Sequence, residues 1–544
     1  MVLGRFDSKS RSAFTLISKP VQRQRWGDHQ HHPVVNWGDL FFDLFYVAAA
    51  YNLANIIRES LTGEGLLYFV GCFLSIYHLW WDRTHYFARF FTGDDVCHRF
   101  AEVTSLCVLA TAVLHIRPSS ILSNPTDNNE MFVFCLSMSI GKFLSILRYL
   151  EVMVWVEGEP VAKVCARRES LLMMPTLAFF VAATIDAGLK YYGNQSEATD
   201  YGNYINFTND GHRILAGETG LSLANKTTNI PIILILTGGL CYLLVIFVFI
   251  FTLPSGGRHK KITVPMNVDF TIHRYGEWTM LMLGESILSL LIVDVTEGVD
   301  YYATFYSGIV SVVLLQMIHF RSQPAHADQH AIRRTKEAGF IFSLLMFFYS
   351  AALVLLGVSY KMMLYEFVYE SSNSGRLLIE VPRWLAGGEG VLQYDTDDRQ
   401  QRVAHFFCGS MATVWFCLDV MMIVHRGIDT NVSRCTCSRT KKMKLTGLLL
   451  IFVRAGLIVL IATLSQYVRD PEVLALIGLS ATFSQLILRI FSSIVFPDER
   501  VHEVKVPVKE NGCNAAGNTT IATKVTQLPN GNLASRSQSH VQSS

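Results

Sequence analysis

Apolar runs of about 20 residues recur along this chain almost from end to end, and each can cross a hydrocarbon core of ~30 Å. They are expected near Trp37–Ile57, Leu66–Phe87, Arg99–Ile116, Met131–Val156, Ser170–Leu189, Pro231–Leu253, Phe270–Val293, Tyr301–Phe320, Ala338–Tyr360, Val403–Val424, Leu445–Tyr467 and Glu472–Phe496. Lipid leaves the backbone groups of an open sheet unsatisfied, so helix is the natural state. The runs are also too long and too unalternating for barrel strands. Of the 544 residues 51% are hydrophobic and only 17% charged, where a soluble chain carries about 25%. The expectation is an all-α, polytopic transmembrane helical bundle of about twelve helices, spanning 37–496.

Lysine and arginine in the short connections set the orientation. With the N-terminus inside, the internal connections hold Arg89 and Arg99; Lys163, Arg167 and Arg168; Arg258, Lys260 and Lys261; Arg321, Arg333, Arg334 and Lys336; and a run from Arg426 to Lys444. The external loops 190–229 and 361–401 are poorer in positive charge or offset it with acids. Three glycosylation sequons, at Asn194, Asn206 and Asn225, fall in the first of these loops. Residues 1–36 form a basic segment expected on the cytoplasmic side, solvated or at the interface. Its histidines His29, His31 and His32 lack the cysteines or carboxylates of a metal set. The Asn-, Ser- and Lys-rich stretch 497–544 has no helical period and is expected to be a disordered cytoplasmic tail. There is no cleavable signal or lipidation signature to find. None of the eleven cysteines falls in an expected external loop, so no structural disulfides are expected.

Chemistry-bearing residues within the spans are few. The first span, WGDLFFDLFYVAAAYNLANII, carries Asp39 and Asp43 one turn apart, on a face continued by Val47, Ala50 and Ala54. A carboxylate in hydrocarbon costs roughly 2.5–3.5 kcal/mol on insertion scales, so this face should turn inward. In the second span His78, Trp81, Asp82 and His85 share one side; they read equally well as a proton- or cation-handling face and as an interfacial anchor. The seventh contains HRYGEWTMLMLGESIL, with Glu277 and Glu285 eight residues apart and Gly284 leaving room beside Glu285. Glu102, Arg148 and Glu151 read as structural ion pairs, Arg148 and Glu151 sitting three residues apart. Asp419, Arg454, Gln485 and Arg489 stand singly in the last three spans and read as helix–helix glue.

No HExxH, phosphate-cradling glycine loop, GxSxG elbow or CxxC pair appears where it could work. The chain is therefore expected not to be an enzyme, and no catalytic residue, metal or cofactor is assigned. A net charge of +2 gives no reason to expect nucleic acid.

Three stretches together resemble the low temperature requirement A (LtrA) family of multi-pass membrane proteins. GDLFFDLFYVAAAYNLA is similar to that family's E-L-F-F-D-L-V-F-V opening helix, with Asp39 at the Glu position and Asp43 at the Asp. LWWDRTHYFARFFTGDDVCHRFAEV is similar to its tryptophan-rich helix followed by an aspartate pair and His-Arg. HRYGEWTMLMLGESIL is similar to its E-R-F-G…L-G-E-S-V segment, with Gly284, Glu285 and Ser286 at Gly-Glu-Ser. The long sequon-bearing loop, the loop at 361–401 and the tail depart from the family pattern and look like eukaryotic elaborations.

The leading expectation is a proton- or cation-coupled transporter of a small solute. Asp39, Asp43 and Glu285 would gather into one inward acidic site, with Glu277, His78 and Asp82 nearby. The alternative is a membrane receptor, sensor or scaffold whose carboxylates only lock the bundle. The partners expected are the lipid bilayer and a small solute or cation; the oligomeric state, and the choice between plasma membrane and endomembrane, stay open. The first and seventh spans each carry an acidic residue after Trp-Gly or Tyr-Gly, which favours a six-plus-six parallel repeat.

Overall fold

The computed structural model describes residues 16–26, 37–92, 95–117, 129–156, 159–205, 229–252, 262–295, 298–324, 329–376, 389–426 and 441–495. The tail from 496 separates as a unit of its own; it lies outside the described residues, as do His29, His31, His32, Asn206 and Asn225. Twelve long helices are described: α1 (Trp37–Glu59), α2 (Gly63–Arg89), α3 (Val96–Leu114), α4 (Asn129–Trp155), α5 (Pro160–Ile205), α6 (Ile230–Thr252), α7 (Val268–Leu291), α8 (Val299–Ser322), α9 (Lys336–Arg376), α10 (Glu389–Arg426), α11 (Lys441–Leu464) and α12 (Pro471–Val495). A single helical turn, Ala331–Arg334, precedes α9. The only strands among the described residues are β1 (Val21–Gln22) and β2 (Phe90–Phe91), paired antiparallel.

Among the described residues nine of these helices are long and apolar enough to cross a membrane. The described apolar part of α11, Leu449–Leu464, is shorter. Helices α2 and α7 match the others in length but fall outside the nine. They carry Glu64, Asp82, Arg83 and Arg89, and Asp269, Arg274, Glu277 and Glu285. A helix so charged is tolerated at membrane depth when the bundle interior supplies partners in place of water. Most of α2 is indeed buried.

Helices α5, α9 and α10 run beyond the ends expected from hydropathy. Residues 190–205, 361–376 and 389–401 are therefore helix where loops were expected, and Asn194 stands on the last turns of α5. Hydropathy marks where lipid ends. A polar helix leaving the bilayer keeps its backbone bonds and continues until its local signals stop it.

Packing repeats with a period of six helices. In the first half α1 packs on α2 and α3, α2 on α4 and α6, α4 on α3, α5 and α6, and α5 on α6. Adding six to each label gives pairs that are all present in the second half. The halves meet where α1 and α2 pack against α7 and α9. Their sense is parallel, because Asp43 and Arg274 each stand six residues after the first residue of their helix and pair across the interface. The register differs from the sequence-based one: Trp37-Gly38-Asp39 opens α1, but Tyr275-Gly276-Glu277 lies two turns inside α7. The duplication is uneven. Of the nine apolar helices α9 is the most enclosed and its counterpart α3 the least. At Gly357 of α9 an added Cβ would stand 2.7 Å from the Ser286 Cα, so glycine there lets α9 and α7 touch backbone to backbone.

We call the side on which α1 and α7 begin the proximal face. Residues 16–26 lie across it as a strap, not as a free tail. Beyond the strand pair, Gln24 donates to the Met266 carbonyl at 2.7 Å, Trp26 to the Thr263 carbonyl at 3.1 Å, and Arg25 pairs with Glu159. The strap thus ties the end of α2 to the entrance of α7, one half to the other.

Its outer end is held by Asp95, the N-cap of α3, which accepts from the Ser18 and His98 backbone amides at 3.0 and 2.9 Å and from the Ser18 hydroxyl. Burial opposes the charge on Asp95, but these donors outweigh it and bring its pKa down from 3.8 to about 2. The stabilisation is thus complete above about pH 3.8 and is lost as pH falls through about 2. Asp95→Ala should release the strap at neutral pH. Trypsin cleavage after Arg23 should then accelerate about ten- to a hundredfold, the loss of a charged hydrogen bond being worth about 1.5–3 kcal/mol; an unchanged cleavage rate would contradict the assignment.

Candidate functional site

The acidic residues picked out in the sequence do not share one pocket. Three of them are tied separately to cations on neighbouring helices. Asp43, 1% exposed, receives both terminal nitrogens of Arg274, at 2.7 and 2.8 Å. The same guanidinium donates to Glu277 at 2.7 Å, and His273 Nδ1 lies 3.1 Å from the other Glu277 oxygen. Asp39 takes Arg83 of α2 at 3.0 Å, and that guanidinium sits over Phe42 and Phe87. Asp82 takes Lys142 of α4 at 2.6 Å and the Tyr242 hydroxyl of α6 at 3.2 Å. His78 is fully buried and lies edge-on to the Tyr242 ring, with neither ring nitrogen hydrogen-bonded.

The ion pairs expected around Arg148 take other partners. Arg148 donates to the Ser105 hydroxyl at 2.8 Å. Glu151 lies 2.9 Å from His98, and Glu102 pairs with Arg99 at 3.1 Å and faces Arg83 at 3.8 Å. Glu151 thus meets a partner on the facing helix α3 in place of the arginine three residues back, whereas Glu102 keeps a partner three residues back on its own helix. Asp419, Arg454, Gln485 and Arg489 are not separate stitches. Asp419 pairs with both arginines, and Arg454 reaches Gln485 at 3.4 Å. In each half, then, the second, fourth and sixth helices close on an ion pair: the buried Asp82–Lys142 with Tyr242, and the partly buried Asp419–Arg489 with the Ile318 carbonyl.

Above the Asp43–Arg274 pair comes a layer of aromatic rings. Trp278 lies 4.6 Å from Trp80, 5.3 Å from Tyr46 and 5.6 Å from Tyr77, ring centre to ring centre. Its indole nitrogen donates to Ser350 at 2.8 Å, and Tyr275 donates to Ser343 at 2.9 Å. Four helices, α1, α2, α7 and α9, contribute to this layer, which fills the interface between the halves.

Glu285 lies beyond it. Eleven residues separate it from Arg274, about 16 Å along the helix axis. It is 1% exposed; Oε1 accepts from Ser289 at 2.9 Å, and Oε2 has no hydrogen-bond partner. Ser286 beside it donates to the Leu353 carbonyl of α9 at 3.0 Å and sits against Gly357. Across from Glu285, Lys361 of α9 is also 1% exposed, lies 3.4 Å from Asn55 Oδ1 and stands over the Tyr51 ring at 5.0 Å. Its charge acts on Glu285, although no carboxylate among the described residues comes within 4.0 Å of it. Sequence reasoning missed Arg274, Lys361, Asn55 and Tyr51. For Lys361 a signal existed, a lysine at the end of a long apolar run, but the hydropathy boundary assigned it to a loop.

Among the described residues no group of three histidine, cysteine or acidic side chains could hold a metal ion. The eight described cysteines are unbridged, and the five buried ones, Cys72, Cys135, Cys165, Cys408 and Cys417, suit packing. The site is therefore an ionic interface between two six-helix halves: latched near the proximal face, filled with aromatics in the middle, and carrying an acid and a base beyond.

No curated protein matches the chain, and no solved structure does. A family model described as Bacterial low temperature requirement A protein (LtrA) matches residues 34–481, which takes in the opening helix, the tryptophan-rich helix and the Gly284-Glu285-Ser286 segment. With twelve long helices among the described residues, nine of them apolar enough to span a bilayer, this multi-pass membrane protein belongs to the LtrA family.

Proposed function

We propose that the protein is a proton-coupled transporter of a small solute, with Glu285 as the group that takes up and releases the proton. One observation carries the reading: Glu285 is fully enclosed at membrane depth and has one oxygen without a partner. A structural carboxylate in that place would be expected to be paired, as Asp39, Asp43 and Asp82 are. A proton on Oε2 removes the charge, and releasing it leaves a negative group ready for a cation or cationic solute. The interface between parallel halves suits such a site, since rocking one half on the other exposes it to either side in turn. The Asp43–Arg274 pair and the aromatic layer then form the closed proximal gate.

The proximal face is assigned to the cytoplasm because Arg89, Lys163, Arg167, Arg168, Arg333 and Arg334 cluster near helix ends there. The same assignment puts Asn194 outside, within reach of glycosylation. A second reading, a receptor or scaffold, is favoured by the pairing of Asp39, Asp43 and Asp82, which gives those residues a sufficient structural role.

Purified protein in liposomes loaded with a pH-sensitive dye separates the two. Proton flux after a pH jump is expected for the wild type, to fall about tenfold or more in Glu285→Gln, and to be partly kept in Glu285→Asp. Equal flux in wild type and Glu285→Gln would overturn the transporter reading and leave the scaffold.

A further inference from the structure

Glu285 and Lys361 are opposite charges buried in the same interface, and they are not joined. Each is 1% exposed. Glu285 has an unpartnered oxygen, while Lys361 has a carbonyl oxygen of Asn55 at 3.4 Å and the Tyr51 ring in place of a carboxylate. Elsewhere in this interior the sequence solves the same problem by contact, as at Asp43–Arg274 and Asp82–Lys142. An ion pair held apart in a low-dielectric interior keeps most of the desolvation cost of both charges and forgoes most of their attraction. A cation at Glu285 alone would leave Lys361 uncompensated, and an anion at Lys361 alone would leave Glu285. A single molecule carrying an ammonium at one end and a carboxylate at the other satisfies both.

We infer that the solute is a small zwitterion of the amino-acid class, its ammonium held by Glu285 and its carboxylate by Lys361 across the meeting of α1, α7 and α9. Asn55 turns its side-chain amide to the carboxylate once Lys361 has moved onto it. Tyr51 lies beside the charged end and Ser289 steadies Glu285 from the next turn of α7. Because α1 belongs to one half and α7 and α9 to the other, the ligand would bridge the two bodies whose relative motion carries it. The inference rests on the reading of Glu285 as a working group but names what it works on.

The test uses the full chain in lipid nanodiscs and a ladder of ω-amino acids: glycine, β-alanine, 4-aminobutyrate and 5-aminopentanoate. Butylamine and butyrate serve as single-charge controls. Calorimetry is expected to find saturable binding for at least one rung, about tenfold or more tighter than either control. Lys361→Met and Glu285→Gln should each weaken it about tenfold or more, while Lys361→Arg and Glu285→Asp, which keep the charges, should retain part of it. A melting curve on each variant confirms that the fold is intact. If no rung outbinds the controls, or if Lys361→Met binds as the wild type does, the inference is overturned. Glu285-dependent proton flux without zwitterion binding would sink this inference alone. Zwitterion binding without such flux would sink the proton-coupled reading and leave the binding site standing.

Discussion

Arg274→Ala should destabilise the protein by about 3–5 kcal/mol, the cost of leaving a buried charge without its partner. The loss strands two acids at once, because Asp43 and Glu277 both receive this guanidinium. Asp43→Ala should cost less, since Arg274 still has Glu277. Replacing Asp43 and Arg274 together with leucine should cost less than Arg274→Ala alone, because two apolar side chains of similar volume need no compensation there. Thermal unfolding in a mild detergent, read for these variants and for the double alanine variant that closes the cycle with Asp43→Ala and Arg274→Ala, gives the coupling energy. Additive losses would mean that the pair does not hold the halves together, whatever its geometry.

Trp278→Ala comes next in size. The ring is fully buried, touches Tyr46, Tyr77 and Trp80, and donates to Ser350, so its removal opens a cavity at the seam of four helices. Truncating a large aromatic in a core costs about 3–5 kcal/mol. Lipid rewards apolar burial less than water does, so the loss should lie near 3 kcal/mol, most of it lost packing. Trp278→Phe keeps much of the contact and should cost roughly half as much. A second readout comes with it: if the layer is the barrier between the proximal face and Glu285, Trp278→Ala liposomes should leak protons and Trp278→Phe liposomes should not. A melting point unchanged in Trp278→Ala would rule out the packing role.

The Asp43–Arg274 pair and the aromatic layer are adjoining levels of one interface, and together they let so polar a chain segment survive in a membrane. Helices α2 and α7, too charged to count among the nine apolar ones, also meet between the halves. Asp82, Arg83, Arg89 and Arg274 are held by partners on α1, α4, α5 and α6.

Much of this was legible in residue order. Twelve apolar runs, their helical state and the inward turn of Asp39 and Asp43 follow from length and from the 3.6-residue period, both of which are local. The motif residues around Asp43, Asp82 and Glu285 were likewise identifiable, and the family match covers them. The gathering of Asp39, Asp43 and Glu285 into one acidic site was the natural extrapolation, but Asp43 is tied to Arg274, which stands about 16 Å along α7 from Glu285. A helical wheel says which way a side chain faces; it carries no information on depth relative to another helix.

Residue order alone therefore settled the class of the molecule: a multi-pass bundle of helices, which of them carry acids, and to which family it belongs. Only the folded arrangement decided who meets whom. Asp43 finds Arg274 at a separation of 231 residues, Asp82 finds Lys142 at 60, and the strap at 16–26 finds its strand partner far along the chain. Such pairings depend on how rigid helices slide and rotate against one another, and no short-range pattern records that. The same packing that satisfied three acids left Glu285 with an unpartnered oxygen and set the buried Lys361 beside Asn55, and neither outcome is written in residue order.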